Sequence, residues 1–75
     1  MKYIYFGADW CAPCKTLKPK VLNSNKSIEI KQVENSEKLV SDYQIKSVPT
    51  VVGIDSTGNV AERYTGTDAI QSFLN

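Results

Sequence analysis

Trp10-Cys11-Ala12-Pro13-Cys14-Lys15 is the stretch of sequence that decides the fold, because it holds both cysteines of the chain, three residues apart. It follows the apolar run Tyr3-Ile4-Tyr5-Phe6 and precedes residues with helical spacing. A CxxC pair between a strand and a helix is typical of a dithiol/disulfide redox site. The positive end of such a helix lowers the pKa of a capping thiol to roughly 3.5–7.5.

This placement predicts different roles for the two cysteines. We expect Cys11, at the helix cap, to be the nucleophile. Cys14 lies one turn into the helix and is shielded by it, so we expect it to resolve the mixed disulfide. Pro13 falls in the first helical turn, where its missing N–H costs nothing and its fixed φ suits the helix. Cys11 and Cys14 are therefore the predicted catalytic residues, with Pro13 as support.

Other uses of the two cysteines are less favoured by the sequence. A disulfide that closes so small a loop removes little chain entropy, which argues against a structural staple. The chain has no histidine and no third cysteine, so it cannot complete four zinc ligands alone, and no metal site is predicted. A zinc ion shared by two chains and a pair of plain buried cysteines are the weaker alternatives that stay open.

Composition sets the remaining limits. With 75 residues, 41% of them hydrophobic, the sequence predicts one small globular domain over residues 1–75. A net charge of +1 argues against nucleic acid or an anionic membrane as partner, and no apolar run reaches the length of a membrane span. The N-terminus shows no signal-peptide pattern, so we expect a cytoplasmic protein whose thiols are kept reduced. We also expect a monomer.

Periodicity and turn residues predict the element order β-α-β-α-β-β-α, a four-stranded mixed sheet flanked by three helices. The first helix is expected to begin near Cys11 and to kink at Pro19. Its buried face comprises Cys14, Leu17, Val21 and Leu22. The four strands are predicted over residues 2–6, 27–33, 47–54 and 60–65, with a turn over residues 55–59 between the last two.

Helix starts are predicted from capping residues. Asn35 and Ser36 are the candidate caps of the second helix. Asp68 and Gln71 have the spacing of a capping box that opens the last helix. We expect that helix to face inward through Ile70, Phe73 and Leu74.

Together these motifs resemble those of the thioredoxin superfamily over nearly the whole chain. Ala8-Asp9-Trp10-Cys11-Ala12-Pro13-Cys14-Lys15 is close to the thioredoxin active-site pattern, with alanine in place of the usual glycine. Pro19, five residues after Cys14, is also a family feature. The segment Tyr43–Thr50 resembles the approach to the family's cis-proline, and Gly66 matches the glycine that ends the last strand beside the active site.

The resemblance implies an α/β thioredoxin-like fold with Pro49 in cis, facing the two cysteines. It implies that Val48 offers its backbone to an extended substrate segment, a form of strand addition. Trp10, Val48, Pro49 and Gly66 would then form the surface on which substrates dock. Apart from the resemblance, Lys15 is a candidate to assist the thiolate of Cys11, although a solvated helix face is the default interpretation of Lys15, Lys18 and Lys20. No cofactor is implied beyond the redox-active disulfide Cys11–Cys14.

Three departures from the family pattern stand out. The chain lacks the N-terminal strand and helix of full-length thioredoxins, which gives it a minimal, glutaredoxin-like outline. Tyr5 stands where thioredoxins carry a buried aspartate, and a phenol is a poor proton acceptor at neutral pH. Water or a nearby lysine such as Lys31 are the candidates to deprotonate Cys14 instead. Gly7 replaces a family aromatic, which is expected to open space near the site.

The resemblance therefore implies a thiol–disulfide oxidoreductase that reduces protein disulfides and is recycled by thioredoxin reductase. A glutathione-dependent, glutaredoxin-like redoxin is the first alternative. In that case Asp68 would contact the glutathione amine, although a capping role for Asp68 is the preferred interpretation. An electron donor dedicated to one partner, such as ribonucleotide reductase, is a second alternative. A binding subunit in which redox chemistry is incidental is the third.

Overall fold

β-Branched and aromatic residues start the fold, since Lys2–Gly7 forms the first strand and becomes fully buried from Ile4 onward. A computed structural model describes residues 1–75 and shows the predicted order of elements. The strands are β1 (Lys2–Gly7), β2 (Ile28–Gln32), β3 (Thr50–Ile54) and β4 (Val60–Thr65). The helices are α1 (Ala12–Leu22), α2 (Glu37–Asp42) and α3 (Thr67–Leu74), with a 3₁₀ turn at Val33–Asn35 before α2.

The four strands form one mixed sheet in the order β2-β1-β3-β4. β1 and β2 are parallel, as expected for two strands joined by a helix, and Gly7 lies opposite Gln32 at the end of their ladder. β3 is antiparallel to both β1 and β4. The CxxC segment lies between the end of β1 and the start of α1. It is therefore close to the start of β3, at one end of the sheet.

Strand alternation divides the core into two layers. Ile4 and Phe6 point to one face of the sheet, where they pack with Ile45 and Val52 beneath α2. Tyr5 points to the other face and packs with a second set of buried residues from α1, β3 and α3, namely Leu17, Val21, Val51 and Ile70. The sheet is thus covered on both faces, and the cysteines lie at the edge where these layers end.

A hairpin links β3 to β4, as the turn residues predict. Asp55 Oδ1 accepts hydrogen bonds from the backbone N–H groups of Thr57 and Asn59, at 2.9 and 3.0 Å. Gly58 has φ +88°, a left-handed conformation that glycine adopts without steric cost. This arrangement confirms the predicted turn over residues 55–59.

The structure corrects several local expectations. Leu22, predicted on the buried face of α1, is 65% exposed because it follows Val21 by one residue, about 100° around the helix, and so lies outside the buried stripe. Ser36 occupies the cap position of α2, but its side chain makes no capping hydrogen bond. The predicted capping box is wrong: α3 begins at Thr67 with Gly66 as its cap, so Asp68 lies inside the first turn.

The predicted strand bounds were too long in two places. β2 ends at Gln32 because Val33 enters the 3₁₀ turn, and β3 begins only after Pro49. α1 continues through Pro19 to Leu22. None of the helices is long and apolar enough to span a membrane.

Candidate active site

Cys11 and Cys14 form a disulfide at the N-terminus of α1, with their Cα atoms 5.2 Å apart. Cys11 is the cap of the helix, and its Sγ accepts a hydrogen bond from the backbone N–H of Cys14 at 3.3 Å. Pro13 lies in the first turn, as predicted. The cap and the N–H donors of the first turn favour a negatively charged sulfur at Cys11 over a thiol.

The sulfurs of the pair are nearly enclosed by protein. Cys11 is 6% and Cys14 is 4% exposed, and both pack with Ala8 against the half-buried Val33 and Val48. The first turn of α1 contains no acidic residue that would oppose a thiolate.

The Val48–Pro49 peptide bond is cis, in agreement with what the resemblance implies. Pro49 is buried, and its carbonyl oxygen accepts a hydrogen bond from the Gly66 N–H at 3.0 Å. Gly66 has φ +91°, a conformation that residues with a side chain rarely adopt. This bond joins the end of β4 to the proline loop, so Pro49, Gly66 and the disulfide lie in one region.

A shallow apolar groove of about 190 Å³ runs beside the disulfide. Trp10, 72% exposed, forms one wall, and Val33 and Val48 form the part nearest the cysteines. An exposed indole next to half-buried valines is an apolar patch of the kind that marks binding surfaces. Trp10 and Val48, two of the predicted substrate-binding residues, thus line the same groove.

Glu34 holds the loop that carries Trp10. Its Oε1 atom accepts a hydrogen bond from the backbone N–H of Asp9 at 3.1 Å, across 25 residues of sequence. Glu34 lies in the 3₁₀ turn after β2. This contact, which the sequence did not reveal, fixes the loop between β1 and α1 relative to the end of β2.

Tyr5 lies directly behind the disulfide. Its hydroxyl donates a hydrogen bond to the carbonyl oxygen of Cys14 at 3.1 Å. Burial raises the pKa of the Tyr5 phenol to about 12, because the ionised form would lose its hydration. The residue at the position of the family's aspartate is therefore a buried hydrogen-bond donor.

Gly7 borders a small cavity beside Cys14, in agreement with the expected space near the site, although a Cβ atom on Gly7 would lie 3.0 Å from Tyr5 Cε1. One expectation about this region needs correction. Lys31 is an unsuitable proton acceptor for Cys14, because its ammonium is 3.0 Å from Glu29 Oε1 and strand alternation points it away from the α1 face of the sheet. The lysines that border the rear of Cys14 are Lys15 and Lys18.

Gln32 is the residue of this region that sequence analysis missed. It lies at the end of β2, opposite Gly7, and borders a small cavity behind Cys14. Alternation with Ile28 and Ile30 was the available signal, because these residues share one face of the strand. No group of three or more side chains in the chain has an arrangement that could hold a metal ion.

Comparison with known proteins agrees with this geometry. The family model described as thioredoxin matches residues 2–75. The chain belongs to the thioredoxin family. It is 38% identical over 69 residues to Thioredoxin-T of Drosophila melanogaster, a match that covers 84% of this chain and 43% of that protein. To the mitochondrial thioredoxin of Mus musculus it is 31% identical over 78 residues, covering 92% and 46% of the two chains.

Solved thioredoxin structures share the fold. Thioredoxin 1 from Thermosipho africanus superposes with a TM-score of 0.73 at 26% identity, covering 99% of this chain and 94% of that one. The thioredoxin of Fasciola hepatica gives a TM-score of 0.80 at 24% identity over 96% and 75% of the two chains. The predicted thioredoxin-like fold is thereby confirmed. The chain spans somewhat less than half the length of the fly and mouse proteins.

Proposed function

We propose that this thioredoxin-family chain is a thiol–disulfide oxidoreductase that reduces protein disulfides with the Cys11/Cys14 pair. The observation that carries the proposal is the disulfide at the start of α1, where Cys11 is the helix cap and accepts a bond from the Cys14 N–H. The same residues that can close a disulfide here can, when reduced, donate two electrons. The disulfide itself supplies the redox chemistry, and we expect no further cofactor.

The proposed reaction has two steps. The Cys11 thiolate attacks one sulfur of a substrate disulfide, forming a mixed disulfide and releasing the other substrate sulfur as a thiolate. Cys14 then loses its proton and attacks Cys11 Sγ, which releases the second substrate thiol and leaves Cys11 and Cys14 oxidised. Cys14 lies inside the first turn of α1, behind the cap residue Cys11, and this position suits it for the second step.

Substrate contact is proposed for the surface around Cys11. The groove between Trp10 and Val48 suits an apolar side chain of the substrate, and the backbone of Val48 precedes the cis-proline. Pro49 and Gly66 are tied together next to it. Lys15 extends from the same turn of α1 and adds positive charge beside the pair. We propose thioredoxin reductase as electron donor and a reducing compartment, the cytoplasm, as location.

A second candidate is a glutathione-dependent redoxin. The observation in its favour is that Asp68 does not cap α3. Its carboxylate is exposed in the first turn, close to Gly66 and to the N–H groups at the start of the helix. An unused carboxylate there would suit the amine of glutathione. The thioredoxin relatives favour the first candidate, because each of them is named a thioredoxin.

Cleavage of insulin disulfides with alternative electron donors separates the candidates. The oxidised chain is supplied with NADPH and thioredoxin reductase, or with glutathione and its reductase, and we expect turnover with the first donor. Turnover with glutathione alone, lowered in Asp68→Asn, would assign the chain to glutaredoxin-type chemistry. Activity with neither donor would contradict a general reductant and favour a dedicated partner, such as ribonucleotide reductase, or a non-redox binding subunit.

A further inference from the structure

A small polar cavity of about 100 Å³ lies behind the disulfide, on the side opposite the apolar groove. Its floor is formed by Tyr5, Gly7 and Cys14, and Gln32 closes one side. Asp9, Lys15 and Lys18 form its rim and are exposed to solvent. A cavity of this size has room for more than one water molecule, since a single water molecule needs only about 10–15 Å³ of cavity volume.

Gln32 contributes an unusual atom to the cavity. Its side-chain Oε1 is buried and accepts no hydrogen bond from any group of the protein, the one buried side-chain atom of which this is true. A buried carbonyl oxygen without a partner costs about 1–3 kcal/mol, so such atoms are normally paired, often with water. Because Gln32 borders the cavity, this unpaired oxygen points to water at its inner end.

The other polar groups leave few proton acceptors near Cys14. The Tyr5 hydroxyl is committed as a donor to the Cys14 carbonyl, and its burial keeps it protonated. The ammonium groups of Lys15 and Lys18 have donors and no lone pair. Asp9 is on the exposed rim, and its backbone N–H is bound to Glu34. Gln32 Oε1 is the buried side-chain acceptor that has no partner.

We infer that Gln32 Oε1 holds a water molecule behind Cys14, and that this water accepts the Cys14 proton when Cys14 resolves the mixed disulfide. The Cys14 S–H proton passes to the water and from there to solvent at the rim. The sulfur of Cys14 then attacks Cys11 Sγ, the bond from Cys11 to the substrate sulfur breaks, and the substrate leaves as a thiolate. Gln32 acts as a positioning residue, through the water that it orients.

The charges around the cavity agree with this route. Lys15 and Lys18 stabilise the thiolate that forms on Cys14, while the carbonyl dipole of Gln32 stabilises the positive charge that develops on the water. The assignment rests on the proposed oxidoreductase function and adds the proton route of its second step.

A two-phase reaction with dithiobis(nitrobenzoate) tests the assignment. Equimolar reagent is mixed with the reduced protein in stopped flow over a series of pH values. Attack by Cys11 releases the first coloured thiolate, and resolution by Cys14 releases the second. In Gln32→Leu we expect an unchanged first phase and a second phase about tenfold slower, since a positioned proton acceptor typically contributes tenfold or more.

Gln32→Glu distinguishes proton transfer from shape. A carboxylate restores an acceptor at the same place, so we expect a second phase at least as fast as that of the parent at neutral pH. That phase should show a further pH dependence where the carboxylate is protonated, in addition to the one that loss of the Cys14 proton gives in the parent. If Gln32→Glu is as slow as Gln32→Leu at every pH, the amide of Gln32 supports the site by its own contacts and not through a proton acceptor, and the assignment is wrong.

Two further variants complete the design. Gln71→Leu makes the same chemical change on α3, away from the disulfide, and should leave both phases unchanged. If Asp9→Asn slows the second phase while Gln32→Leu does not, the rim carboxylate is the acceptor and the assignment fails. If the parent protein shows no first phase, the proposed function is contradicted. If Gln32→Leu shows a normal first phase and a second phase as fast as that of the parent, only the role of Gln32 is contradicted.

Discussion

The two sides of the disulfide differ in size and in polarity. In front of it, Trp10, Val33 and Val48 form an open apolar groove of about 190 Å³. Behind it, Tyr5 and Gln32 face a cavity of about 100 Å³ with charged residues at its rim. Apolar surface attracts a partner protein, while buried polar atoms orient a proton acceptor. We propose that substrate recognition and proton transfer take place on opposite sides of this one pair of sulfurs.

Replacing either cysteine is the strongest test of this division. We expect Cys11→Ser to abolish insulin reduction, because Cys11, the cap of α1, is the proposed nucleophile. Cys14→Ser should keep the first attack and accumulate a mixed disulfide with the substrate, since the resolving sulfur is missing. Mass spectrometry of the unreduced protein after incubation with substrate identifies that adduct.

A comparison of the two variants sharpens the result. Turnover of Cys14→Ser at the parent rate would show that the rear cysteine is dispensable. A mechanism that uses one cysteine with glutathione would then replace the dithiol mechanism.

Removing Trp10 tests the front side alone. Because the indole is 72% exposed, Trp10→Ala should leave the free energy of unfolding nearly unchanged. It should lower kcat/KM for insulin about tenfold, as expected for loss of an aromatic anchor worth about 1.4 kcal/mol. Cystine, which is too small to use the groove, should be reduced at the parent rate.

Leu22→Ala is the matched control for Trp10→Ala. Leu22 is also a large exposed apolar residue, at the far end of α1. It should affect neither substrate. Equal losses for insulin and cystine in Trp10→Ala would mean that Trp10 supports the cysteines rather than the substrate.

The sequence predicted the front side better than the rear. The CxxC spacing, the helix start at Ala12 and the proline before β3 are local signals, and each was read from a few adjacent residues. The role of Gln32 depends on the parallel register that places it opposite Gly7, 25 residues away, and no local pattern specifies this register. The capping box predicted at Asp68 is the opposite case. There a local motif was present, but the helix begins at Thr67, one residue before Asp68, with Gly66 as its cap.

Filling the space at Gly7 tests the rear side through packing. A Cβ atom there would lie 3.0 Å from Tyr5 Cε1 and 3.2 Å from its hydroxyl oxygen, and the buried ring has little room to move. We expect Gly7→Ala to lower the free energy of unfolding by about 1–3 kcal/mol, the usual cost of overpacking. Urea denaturation of the oxidised protein measures the change.

A double-mutant cycle shows whether Tyr5 causes this loss. In Gly7→Ala combined with Tyr5→Phe, the hydroxyl contact is gone, so the two effects should sum to more than the double variant loses. Additive losses would mean that the Tyr5 hydroxyl does not cause the loss and would leave the ring contact at Cε1 or the backbone as its cause.

The smallest expected effect is that of Tyr5→Phe, which removes one buried hydrogen bond to the Cys14 carbonyl. We expect a loss of about 1 kcal/mol in the free energy of unfolding at neutral pH and an unchanged second phase with dithiobis(nitrobenzoate). A slower second phase would make the phenol part of the proton route. It would contradict the proposal that proton transfer from Cys14 depends on Gln32.

The stability difference between the parent and Tyr5→Phe should change with pH in a known direction. Burial raises the pKa of Tyr5 to about 12, whereas an unfolded chain loses its phenolic protons near pH 10. Between these values the unfolded state binds fewer protons, so this contribution is complete below pH 10 and is lost as the pH rises toward 12. Burial also raises the pKa of Tyr3, and a hydrogen bond to Glu62 raises the pKa of Tyr64. These two shifts are present in the parent and in Tyr5→Phe alike, so they cancel in the difference. The stability difference between parent and Tyr5→Phe should therefore shrink from pH 10 to 12. A constant difference over this range would show that the Tyr5 phenol is solvated, and the polar cavity behind Cys14 would then be open to bulk water.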